Sequence, residues 1–275
     1  MKKLIRQCAL ILPLLLGGCA ADPAASADEL RVCFFNAGKA DAILLYTDDS
    51  AVLIDCGESD YGDDILSYMK NAGIDHLDRL IITHFDKDHV GGASAILNGM
   101  EVSEVLTSNY PKDSDEYAAF VQALAENDLS AETVSGADEY TFVLDGTVYT
   151  VDGPDQETYA SDPSNNSSLI ISAVYGETSF LFAGDAQNER IEEYLRDHTQ
   201  TYDILKVPYH GHYQKKLKDL LAVIQPDAAV ITCSAEEGGE EKTLQLLETA
   251  GIQTYLTWQG ALTVTSDGRT LTFSR

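Results

Sequence analysis

Thr83-His84-Phe85-Asp86-Lys87-Asp88-His89-Val90-Gly91-Gly92 is the stretch on which the reading of this chain turns. An apolar run, Leu80-Ile81-Ile82, precedes it and predicts a buried strand, and Gly91-Gly92 can open a helix behind it. Four potential metal ligands, His84, Asp86, Asp88 and His89, therefore fall on one sharp strand-to-helix turn. Alternation in the extended part sends His84 and Asp86 to the same side. Asp88 and His89 follow where the chain bends and can aim at a second point nearby. Imidazole with carboxylate suits Zn²⁺, Fe or Mn²⁺, and two such sets suit two ions roughly 3.5–4 Å apart. The plainer account, a polar loop that caps the next helix, needs only Asp88.

The stretch resembles the signature loop of the metallo-β-lactamase superfamily, His-x-His-x-Asp-His, with Asp86 standing where the second His usually stands. That variant, followed by Val-Gly-Gly, is similar to the hydrolase domain of ComEC-type competence (DNA-uptake) proteins and their stand-alone relatives. The resemblance implies an α/β (α+β) chain folded as a four-layer αββα sandwich over roughly Leu30 to Arg275. It also implies two divalent metal ions, Zn²⁺ or Mn²⁺, that activate water. A carboxylate at Asp86 hardens the first site and tilts it towards Mn²⁺.

Other stretches supply the remaining anchors of the resemblance. Asn36-Ala37-Gly38-Lys39-Ala40-Asp41 stands where the family reads Asp-Val-Gly-Gln-Gly-Asp; Gly38 and Asp41 match, while Asn36, Lys39 and Ala40 depart. Ile54-Asp55-Cys56-Gly57 matches Ile-Asp-x-Gly, and Asp55 is read as orienting the loop or a ligand His. Turn chemistry explains Asp41 equally well. Asn165-Asn166-Ser167-Ser168 fits the family's Asn-Asn-x-Ser, which makes Asn165 or Asn166 a candidate contact to a metal or its water. Phe180-Leu181-Phe182-Ala183-Gly184-Asp185 reads as a buried strand ending in the bridging carboxylate, with an N-cap role for Asp185 as the alternative. Leu205-Lys206-Val207-Pro208-Tyr209-His210-Gly211-His212 resembles Leu-Lys-x-Pro-His-His-Gly-Ser, Tyr209 replacing the first His and His212 the Ser.

The implied ligand set is therefore His84 and Asp86 for one ion, Asp88, His89 and His210 for the other, and Asp185 between them. Asp88 and His212 are the catalytic candidates, His212 as a proton donor to the leaving group. Ala235–Glu241 contains no His where the family carries Tyr-Gly-His-Pro. No Gly-x-Ser-x-Gly elbow offers a side-chain nucleophile instead.

At the N-terminus, Lys2, Lys3 and Arg6 precede an apolar run from Cys8 to Leu16, then Gly17-Gly18-Cys19. The run is too short to span a bilayer and has the charge pattern of a secretory signal. Leu16-Gly17-Gly18-Cys19 resembles the bacterial lipoprotein box. The expected organisation is a lipoprotein signal peptide at 1–19, a tether at 20–29 and a hydrolase domain at 30–275. Lipidation at Cys19 would hold the exported protein to the outer face of the cell membrane; a cleaved, fully secreted protein is the rival. Cys33, Cys56 and Cys233 lie in or beside apolar runs and read as buried thiols, not a disulfide framework.

The net charge of −27 favours solubility and repels anionic polymers, and no basic track for nucleic acid is visible. Three functions stay open at this stage. One is metal-dependent cleavage of phosphodiesters, extracellular DNA among them. Another is hydrolysis of a small ester, lactone or cyclic phosphodiester on the same metals. The third is a non-catalytic surface-binding lipoprotein on a retained scaffold.

Overall fold

Alternate residues of most strands face different cores, and this alternation builds the layers. A computed structural model describes residues 29–136 and 139–275; the signal at 1–19, Cys19 and all of the tether but Glu29 lie outside them. The first sheet has the order β15 (Leu271–Ser274), β14 (Leu262–Ser266), β1 (Leu30–Phe34), β2 (Ala42–Tyr46), β3 (Ala51–Cys56), β4 (His76–Ile82), β5 (Glu101–Thr107), β6 (Ala131–Thr133). It is antiparallel from β15 to β3 and parallel from β3 to β6. The second has the order β13 (Gln253–Leu256), β12 (Ala228–Ile231), β11 (Ile204–Lys206), β10 (Thr178–Phe182), β9 (Ile170–Tyr175), β8 (Thr147–Asp152), β7 (Tyr140–Leu144). It runs parallel from β13 to β10 and antiparallel beyond.

Between the sheets, Val32, Phe34, Ile54 and Ile81 from one meet Tyr149, Ile171, Phe180, Phe182 and Val230 from the other. The opposite phase of the same strands packs outwards. Leu44, Leu53, Leu80 and Ile82 meet α1 (Gly62–Asn71), α3 (Ala93–Gly99) and α4 (Asp115–Glu126). Leu181, Leu205 and Ile231 meet α6 (Asn188–Asp197), α7 (Leu217–Ile224) and α8 (Glu241–Thr249). Two short helices, α2 (Lys87–Val90) and α5 (Pro163–Asn166), belong to loops at one edge. The architecture is the αββα sandwich, helices outside and sheets back to back.

Expectation and structure part at a few elements. Nothing in the sequence reading marks 217–224, yet Leu217, Leu220, Leu221 and Ile224 are buried at helical spacing along α7. The three residues of β6 sit on an edge with little burial and carry no alternating signal. Helix α2 starts inside the ligand loop, before Gly91-Gly92, so Asp88 and His89 ride on a helical turn. Cys33, Cys56 and Cys233 are free and buried. Among the described residues no helix is long and apolar enough to cross a membrane.

Candidate metal centre

The C-terminal ends of β3, β4, β10, β11 and β12 reach the same edge of the sandwich, and each delivers one part of the centre. Asp55 ends β3 with a left-handed backbone (φ 56°), a conformation an Asp tolerates better than most residues. Its Oδ1 accepts from Thr83 N at 2.8 Å; its Oδ2 accepts from Thr83 Oγ1 at 2.7 Å and lies 2.7 Å from His89 Nδ1. The carboxylate thus fixes both the start of the ligand loop and the His89 ring. Gly92 lets the loop fold back so closely: a Cβ there would stand 2.3 Å from Cys56 O.

The three imidazoles of the centre are tied through Nδ1, which leaves Nε2 facing inwards. His89 Nδ1 donates to Asp55, and His210 Nδ1 donates to Thr232 O at 3.0 Å, since a carbonyl only accepts. His84 Nδ1 lies 3.2 Å from Thr83 Oγ1, whose own proton goes to Asp55. Bracing of this kind behind a ligand His fixes tautomer and ring orientation. Inside, His89 Nε2 and His210 Nε2 are 3.3 Å apart and lie 3.4 and 3.2 Å from Asp185 Oδ2. Asp88 Oδ2 lies 3.5 Å from His210 Nε2.

Two sets of ligand atoms, His84–His89–Asp185 and Asp88–His89–His210, each fall within 4.8 Å of one another. A third such set, Asp41–Asp55–His89, is already spent on bracing. His84 Nε2 and Asp185 Oδ1 are buried without a hydrogen-bond partner, although buried polar atoms are rarely left so. Unpartnered donors of imidazole and carboxylate type, converging on one spot, fit a divalent cation.

The sequence profile of the metallo-beta-lactamase superfamily matches residues 36–234. The chain belongs to the metallo-β-lactamase superfamily. It is 28% identical over 221 residues to ComE operon protein 3 of Bacillus subtilis (strain 168), covering 76% of this chain and 27% of that protein. It is 28% identical over 207 residues to Recombination protein 2 of Haemophilus influenzae Rd, covering 74% of this chain and 24% of that one. The chain therefore spans about a quarter of the length of these relatives. In fold it matches the metallo-beta-lactamase fold protein YhfI from Bacillus subtilis with a TM-score of 0.50 at 12% identity, covering 90% of this chain and 100% of that one. This is a metallo-β-lactamase-fold hydrolase, a family that uses divalent metals.

The other residues expected at this metallo-β-lactamase centre divide by what they touch. Asp86 Oδ1 lies 3.9 Å from His84 Nε2, on the expected side, but is bonded by Lys112 Nζ and Ser164 Oγ. Asp41 sits behind His210 and His89, bonded to the Lys206 ammonium and, at 2.5 Å, to Thr232 Oγ1. Asn166 braces the fold: its Oδ1 accepts from Arg190 N at 3.1 Å and its Nδ2 donates to Ser161 O at 2.7 Å. Asn165 is buried on the same short helix; Ser168, just beyond, sets its Oγ 3.4 Å from His84 Nδ1. His212 has Glu240 Oε1 at 3.0 Å and the Tyr209 ring at 4.8 Å for neighbours, neither of them a ligand.

Lys206 is the resident of the centre that ligand arithmetic leaves out. It is fully buried, donates to Gly184 O at 2.9 Å, and lies 3.7 Å from Asp185 Oδ1. Its sequence signal is a lone charge within the apolar run Ile204-Leu205-Lys206-Val207. The acidic segment lacking Tyr-Gly-His-Pro has a structural task as well. Tyr209 and His210 both adopt left-handed backbones, and Gly239 N–H holds His210 O at 2.8 Å.

The electrostatics follow from burial set against neighbours. Burial and the charge of His89 push the His84 pKa down to about 4. Burial also opposes charge on His89, but Asp185 and Asp55 outweigh it and hold the ring well above the ordinary imidazole range. His210 is raised in the same way, against burial, by Asp185 and Asp88. Asp185 and Asp88, despite burial, are held well below the usual carboxylate range by His210 and His89. The Asp41 carboxyl is lowered against burial, chiefly by Lys206.

Proposed function

We propose that this chain is a two-metal hydrolase of phosphodiesters, exported and anchored to the membrane through a lipid on Cys19. What supports the reading most is the pair of inward-facing ligand sets that share His89, with Asp185 close to His210 as well and with His84 Nε2 and Asp185 Oδ1 left without a hydrogen bond. In this reading His84 and Asp86 would hold one ion and Asp88, His89 and His210 the other, with Asp185 as the carboxylate available to both. Zn²⁺ and Mn²⁺ both suit such donors, and the Asp86 carboxylate favours Mn²⁺. When bound, a pair of divalent cations supplies Lewis acidity, acidifying water at the site and offsetting charge that develops on the substrate.

The chain's own residues do the positioning. Asp55, Thr83 and Thr232 hold the imidazoles with Nε2 inwards. Lys206 compensates Asp41 and Asp185 from behind, so the centre keeps its shape in a dry setting. Asp88, held far down as a carboxylate, suits a ligand better than a proton acceptor. His212, at the rim beside Glu240, is the residue assigned to protonate the departing group.

The second reading, a small ester or lactone substrate on the same metals, draws on the net charge of −27, which disfavours a polyanion. A panel of bis(p-nitrophenyl) phosphate, a lactone and a β-lactam, assayed with Mn²⁺ or Zn²⁺, separates the readings. Phosphodiester cleavage that disappears in His210→Ala supports the first; lactone cleavage alone supports the second; no turnover with either metal returns the chain to a binding role. If duplex DNA is bound, affinity should fall steeply as salt rises. For the anchor, Cys19→Ser should move the protein out of the membrane fraction, and an unchanged distribution contradicts lipidation there.

A further inference from the structure

The two carboxylates of the ligand loop are each covered by a lysine from a different part of the chain. Lys39, between β1 and β2, sets Nζ 2.9 Å from Asp88 Oδ2. Lys112, between β5 and α4, bonds Asp86 Oδ1. Both line one open cleft of about 590 Å³ that also includes Asp86 and Asp88. Lys39 departs from the Gln that the family resemblance implies at this position.

Exposure separates these lysines from their neighbours. Lys206 is buried completely and locked by Asp41 and Gly184. Lys87, on the outer wall, is 64% exposed and paired with Glu58. Lys39 and Lys112 lie between, with side chains 24% and 35% exposed. Each has one carboxylate partner and three donors on a flexible stem, so donors remain for a second acceptor. Both ammonium groups border the open cleft, so an anion entering it can reach their remaining donors. Cations at the centre would compete for the charge of Asp86 and Asp88 and so loosen the hold of these carboxylates on both ammonium groups. Glu58, Glu116 and Glu237 also line the cleft, with Ser114, Ser234 and the Glu58-paired Lys87. With Lys87 held at the wall by Glu58, the two inner ammonium groups, flanked by Glu116 and Glu237, receive one compact anion and repel a row of phosphates.

We propose that Lys39 and Lys112 are the anion-holding pair of this site, binding the non-bridging oxygens of a small phosphodiester, up to dinucleotide size, and not a nucleic-acid polymer. The assignment rests on the phosphodiester reading above and names its substrate class.

Calorimetric titration of inorganic phosphate into the Mn²⁺-loaded full chain tests the pair without requiring turnover. Lys39→Gln and Lys112→Gln should each weaken phosphate binding about tenfold and raise KM for bis(p-nitrophenyl) phosphate in parallel. Manganese content should match the parent, and Lys39→Arg and Lys112→Arg should restore most of the phosphate affinity. The pair is overturned if the parent binds no phosphate, if the double Gln variant binds it as the parent does, or if either Gln variant loses manganese. That last result would make the lysines braces for the carboxylates. Duplex DNA that displaces phosphate more effectively than bis(p-nitrophenyl) phosphate overturns the small-substrate assignment. A parent that binds phosphate yet cleaves no phosphodiester defeats the catalytic reading and leaves the lysine pair standing.

Discussion

Asp55 shows how one side chain outside the ligand set can decide what the ligands do. It holds Thr83 through two bonds and His89 through one, all from a left-handed backbone at the end of β3. Loss of such a brace typically lowers metal affinity by about 10–100-fold, so Asp55→Ala should weaken Mn²⁺ or Zn²⁺ binding on that scale while the fold persists. Titration with a metal indicator checks this; unchanged affinity would mean that His89 holds its orientation alone. Protons compete for the same atoms. His89 and His210 have folded pKa values raised above 6.5, so without metal they stabilise the fold fully below pH 6.5. That stabilisation is lost as pH rises through their folded values, when the carboxylates face one another uncompensated. Added cation should reverse the loss, so the gain in melting temperature on adding Mn²⁺ should grow from pH 6 to pH 8. A gain independent of pH would show that the two imidazoles need not release protons. The sequence reading places His84, Asp88, His89, Asp185 and His210 together because their residue types have few other uses in such a pattern. It does not reach Lys206 and Thr232, whose partner Asp41 is far away in the chain and joined only by folding.

At the scale of elements, the ligand loop works because it is packed, not merely because it is polar. Helix α2 raises Asp88 and His89 on one turn, and Gly92 brings that turn against the end of β3. A methyl at Gly92 cannot fit without moving Cys56 O or the Gly62 backbone, since it would approach them at 2.3 and 3.1 Å. Gly92→Ala should therefore lower the melting temperature by roughly 5–10 °C and weaken metal binding with it. A stable variant with parental metal content would show that the loop relaxes freely. Strands such as Ala51–Cys56 and Phe180–Phe182 are legible as continuous apolar runs, because opposite faces meet opposite cores and both are buried. Helix α7 has equally clear spacing, but its first turn is wrapped in Lys215, Lys216 and Lys218, which gives the segment a surface look. Strand β6 leaves no trace because an exposed edge of three residues imposes no pattern.

Across the whole molecule, two half-parallel sheets lie back to back so that five strand ends from both reach one edge. Neither sheet holds the centre alone: β3 and β4 bring Asp55, His84 and His89, while β10, β11 and β12 bring Asp185, His210 and Thr232. The chain is strongly acidic, with a net charge of −27, while Lys39, Lys87 and Lys112 line the cleft beside Asp86 and Asp88. The central claim is that distant segments meet to hold two cations. Elemental analysis of the purified full chain, parent against Asp185→Asn, tests it most directly. The account predicts two equivalents of divalent metal per chain in the parent and at most one in the variant. A parent without stoichiometric metal, or a variant that keeps both equivalents, would contradict it.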